Sequence, residues 1–62
     1  MDSTILYPQK CRKSINRLVN EIGMSSDIAY SQMLITAALM DLKPEDEAVV
    51  HMILQDCGVE VE

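Results

Sequence analysis

Sixty-two residues with a net charge of −5 make one domain at most, and a chain that short is marginally stable without disulfides, a metal or a partner. Nearly half the residues are apolar, which excludes a disordered chain, while two Tyr with no Phe or Trp leave no platform for stacking single-stranded bases. The charges are segregated, with Lys10, Arg12, Lys13 and Arg17 near the start and Lys43 alone among the acids from Asp27 to Glu62.

Thr4–Tyr7 is β-branched, aliphatic and aromatic, and Pro8 closes it, so a short strand is expected over 4–7; an extended leader or an earlier helix start is the alternative. From Gln9 to Ile22, Cys11, Ile15, Leu18, Val19 and Ile22 recur at i, i+4, i+7, i+8 and i+11, the pattern of an amphipathic helix with Lys10, Lys13, Arg17 and Glu21 on its other faces. Gly23 sits where a left-handed residue ends a helix. Ser25 or Ser26 can cap the next one, Asp27 suits its positive end, and Met24 can staple onto Ala29.

Ile28–Leu42 organises the chain. Ser31, Gln32, Thr36 and Asp41 are its only polar residues and leave no wide polar face. A helix apolar nearly all round is a buried helix, and two short neighbours cannot cover it, so a homodimer is expected. Pro44 with Glu45, Asp46 and Glu47 starts a third helix, and Val50, Ile53, Leu54 and Cys57, widened by Val49 and Met52, give it an apolar stripe. That stripe must be covered by the central helix, which is favoured, or by a partner's groove. Gly58 stops the helix, and Val59–Glu62 reads as a frayed tail. The expected helices run over about 9–22, 26–42 and 45–57 of a single domain, 1–62.

Little of this points to chemistry. His51 shares a polar side with Glu47 and Gln55 and reads as a solvated surface residue. The acids Glu45, Asp46 and Glu47 lack the spacing of a calcium loop, and two glycines cannot build a phosphate cradle. No Ser, Thr or Cys has a partner that would activate it. The expectation is a protein that is not an enzyme and uses no cofactor or metal. Cys11 and Cys57 read as reduced, half-buried residues. Met1–Ser14 lacks the apolar run of a secretory signal and the longest charge-free stretch is too short for a bilayer, so a cytoplasmic protein without membrane contact is expected.

The order of short strand, Pro, amphipathic helix, Gly-x-Ser turn and apolar helix resembles the ribbon-helix-helix family of DNA-binding repressors, the Arc and MetJ type. The resemblance covers residues 3–42, through Ile5-Leu6-Tyr7-Pro8 and Ile15 to Ser25. It implies a mainly α, intertwined homodimer with a ribbon of paired N-terminal strands entering the major groove of duplex DNA. By position, Asp2, Thr4 and Leu6 would face the groove, with Lys10, Arg12, Lys13 and Arg17 as the cations. The amides of Ser25 and Ser26 would hold a phosphate. The dimer core would be Ile5, Tyr7, Ile28, Met33, Leu34, Ala37 and Ala38. The function implied is a small transcriptional regulator, an autoregulatory repressor or an antitoxin, with residues 44–62 extending the dimer or binding a protein partner. The alternative is an acidic all-α three-helix module that inhibits or adapts another protein.

Overall fold

The computed structural model describes residues 7–60, which form three helices: α1, Gln9–Ile22; α2, Ser26–Met40; and α3, Glu47–Asp56. Among the described residues there is no strand. Most of the expected strand, residues 4–6, lies outside them, and Tyr7 is not in strand conformation. Of the two expected architectures, the helical part is what is observed, and the ribbon stays an expectation.

Local chemistry sets the helix ends. Pro8 precedes α1 in extended conformation, and its carbonyl accepts from the Cys11 and Arg12 amides. Ser25 caps α2 by accepting from the Ile28 amide, as expected, and Asp46 caps α3 by accepting from the Ala48 amide. Asp46 takes the cap position because Pro44 and Glu45 belong to a turn in which the Asp46 amide reaches back to the Lys43 carbonyl. The third helix therefore begins at Glu47 rather than 45. Each helix is followed by a left-handed residue or pair of backbone bonds that closes it. Gly23 (φ 87°) donates to the Val19 carbonyl after α1. After α2, Asp41 (φ 57°) donates to Ala38 and Leu42 to Ala37, so the helix stops at 40 instead of 42. Gly58 (φ 83°) and Val59 repeat that pattern on Gln55 and Leu54 after α3.

The core lies where the three helices meet. α1 contributes Cys11, Ile15 and Leu18; α2 contributes Ala29, Met33 and Ala37; α3 contributes Val49, Val50, Ile53 and Leu54. Tyr7, Val19, Ile22, Met24, Tyr30 and Val59 close its edges. The acidic segment is thus packed by its apolar stripe on the rest of the chain. Two residues depart from the expected stripe: Cys57 and Met52 are exposed, because α3 ends at Asp56 and Met52 lies beside the buried pair Ile53 and Leu54 without sharing their face. The described part has a radius of gyration of 10.7 Å, close to the roughly 10 Å of a compact chain this long.

Candidate interaction surface

A helix apolar on every side cannot declare from sequence which side is covered. In the structure α2 packs on both α1 and α3 through Ala29, Met33, Thr36 and Ala37, all of them buried. At 100° per residue the opposite side carries Ile28, Ser31, Gln32, Ile35, Ala38 and Leu39, with Leu34 on its flank. All seven are exposed, and Leu39, one residue before the end of α2, is 82% exposed. Ile35, one turn before it, is 56% exposed, Leu34 is 43% exposed, Ile28 is 53% exposed about three turns away near the start of the helix, and Leu42, just past the helix, is 38% exposed. The boundary between the two sides runs between Gln32, exposed, and Thr36, buried. No charged side chain lies within this patch from Ile28 to Leu39.

At the start of α2 the Tyr7 ring stacks on Tyr30 with centroids 4.4 Å apart, and its hydroxyl donates to the Asp27 carboxylate. That hydrogen bond, with some desolvation and the Asp27 charge, pushes the Tyr7 phenol up to about 12. The clasp anchors the chain entering α1 on one border of the exposed face.

The expected DNA contacts are distributed differently. Asp2, Thr4 and Leu6 lie outside the described residues, as does Ile5 of the expected dimer core. Lys10, Arg12 and Lys13 are exposed on α1. Lys10 and Lys13 line a shallow open groove with Gln9 and with Glu45, so an acid sits among the cations. Arg17 is half-buried and paired with Glu47 of α3 at 2.5 Å and with Glu21 at 3.8 Å. The Ser25 hydroxyl is engaged as a cap, Ser26 is half-buried, and Asp27 places a carboxylate at the same helix start. Of the expected dimer-core residues, Met33 and Ala37 are in the chain's own core, Tyr7 is half-buried, and Ile28, Leu34 and Ala38 are on the exposed face of α2.

The groups with reactive potential are spread out. Cys11 is buried, and burial followed by the Glu45 charge raises its thiol pKa; Cys57 is exposed, and His51 is half-buried on α3. Among the described residues no three His, Cys, Asp or Glu come together as a metal site, and no helix is long and apolar enough to cross a membrane. Ile35 and Leu39 were absent from the expected contact set, although the spacing of Ile28, Ile35 and Leu39 at i, i+7 and i+11 was readable. The even apolarity of α2 hid it. Compared with protein-family models, curated proteins and solved structures, the chain matches none.

Proposed function

We propose that this chain is a helical protein–protein interaction module whose contact surface is the outer face of α2. One observation carries it: Ile28, Ile35 and Leu39 stand in water along one charge-free side of a helix whose other side is core. Exposed apolar residues scattered singly need no explanation, but a contiguous aliphatic patch on so small a protein marks a contact site. The acids of α3 and the chain's net charge keep the module in solution while that patch is uncovered. Substituting Leu39→Asp tests the assignment. The variant is expected to keep the helical circular dichroism and cooperative melt of the dilute wild-type chain, because it removes no core contact, with Tm lowered only by the few degrees that an acid in the last turn of α2 costs. Loss of the fold would make the outer face part of the core and would end this reading.

Exposed Lys10, Arg12 and Lys13 on α1 favour a second reading, a homodimeric DNA-binding regulator in which these cations are doubled. Each phosphate they neutralise would add about −0.9 to the log–log salt slope of binding. The pairing of Arg17 with Glu47 and the place of Glu45 beside Lys10 and Lys13 weaken it. A panel of duplexes at low salt checks it, and absence of any mobility shift removes it.

A further inference from the structure

We infer that the outer face of α2 is covered by a second copy of this chain, α2 against α2, in a homodimer. This rests on the interaction reading above and names its partner. Three observations support a copy over a different protein. The first is spacing: Ile28, Gln32, Ile35 and Leu39 follow one another at intervals of four, three and four, the alternation of a seam between two packed helices. The partner such a seam accepts is a helix with the same spacing, and α2 itself is one. Gln32 is the only polar residue in that series, a position where coiled seams use one polar side chain to fix register.

The second is charge. A chain carrying −5 repels its copies, so self-contact must occur where no like charges are brought together. The face between Ile28 and Leu39 carries no charge along its length, and the like charges that an α2–α2 contact brings near, Asp27 and Asp41, stand only at its ends. A basic partner drawn by the chain's net charge would be better served by a face rimmed with carboxylates along its length. The third is area. From their fractional exposures, Ile28, Ile35, Leu39 and Leu42 present on the order of 400 Å² per chain. A twofold contact uses the patch twice, and with the exposed Ser31, Gln32 and Ala38 beside it the result approaches the roughly 1,000 Å² lower bound of specific interfaces.

Sedimentation of the full chain over a dilution series, with wild type, Leu39→Asp and the milder Leu39→Gln, tests the inference. Wild type is expected at twice the 7.0 kDa chain mass when concentrated, and both variants at a single chain mass with unchanged helix content. Added salt is expected to tighten the wild-type dimer, since it screens the repulsion between two acidic chains. A wild type that stays a single chain at every concentration, with Leu39→Asp folded, overturns the dimer and leaves the interaction reading standing with a different partner. Dimers of Leu39→Asp as tight as wild type, or a dimer that salt dissociates, also overturn it. Only loss of helix in dilute Leu39→Asp would remove the interaction reading itself.

Discussion

The inner and outer faces of α2 are both largely apolar and have opposite fates. Inside are Ala29, Met33, Thr36 and Ala37; outside are Ile28, Leu34, Ile35, Ala38 and Leu39. The larger aliphatic side chains are on the outside. The inner face has small residues around one Met, which lets α1 and α3 approach closely and bring their own Ile, Leu and Val to the core. The outer face has bulk and nothing in the chain to meet it. Within α2 the aliphatic bulk is therefore on the uncovered face, and it is this contrast that the proposed contact rests on.

Paired truncations make the sharpest break between the faces. Met33→Ala removes a fully buried side chain and is expected to cost about 2–5 kcal/mol, enough to unfold much of so small a domain. Leu39→Ala, measured on dilute chains, is expected to stay within about 0.5 kcal/mol of wild type. Urea melts of the two at low concentration decide the matter. Equal costs would mean that both faces are buried in a single chain.

The legible parts of the fold were those set by neighbours in sequence. The ends of α1, the Ser25 cap, Gly23 and the stop at Gly58 follow from residues within a turn of one another, and the stripes of α1 and α3 follow from periodicity. The observed end of α2 at Met40 falls two residues before the expected one because an aspartate in left-handed conformation gives a weaker sequence signal than a glycine. The covered side of α2 was not legible, because apolar residues all round carry no direction. Nor were the Arg17–Glu47 pair, thirty positions apart, and the placing of Glu45 beside Lys10 and Lys13; both depend on how α3 returns to α1. The candidate site was therefore half visible: the helix was legible, the side of it left exposed was not.

The end of α2 offers a smaller effect that sharpens the comparison. Asp41 holds φ 57°, which costs a residue with a Cβ about 1 kcal/mol, and its carboxylate sits at the negative end of the helix dipole. Asp41→Gly is expected to keep both backbone bonds to Ala37 and Ala38 and to raise Tm by roughly 4–8 °C. Because the change touches neither face and removes one carboxylate from the end of the outer one, dimer affinity should rise slightly. A lower Tm would show that the Asp41 side chain stabilises this turn in a way that its backbone geometry does not reveal.

The smallest effect lies at the border where Tyr7 clasps α2. Its phenol is held in the protonated form mainly by the hydrogen bond to Asp27, with a folded-state pKa of about 12 against an ordinary value of 10.0. A group whose pKa is raised on folding adds stability that is fully present below its unfolded value and is lost as pH climbs through the folded one. The clasp should therefore support the fold up to about pH 10 and fade between there and about pH 12. Tyr7→Phe keeps the stack on Tyr30 and removes the titrating hydroxyl. The difference in Tm between wild type and Tyr7→Phe should be constant near neutrality and shrink over that alkaline window. Self-association, measured at neutral pH, should be nearly the same in both, because the clasp borders the outer face and contributes no aliphatic surface to it. A difference in Tm that grows with pH would mean that the hydroxyl is not held by Asp27, and a large loss of association would place Tyr7 inside the contact and not at its edge.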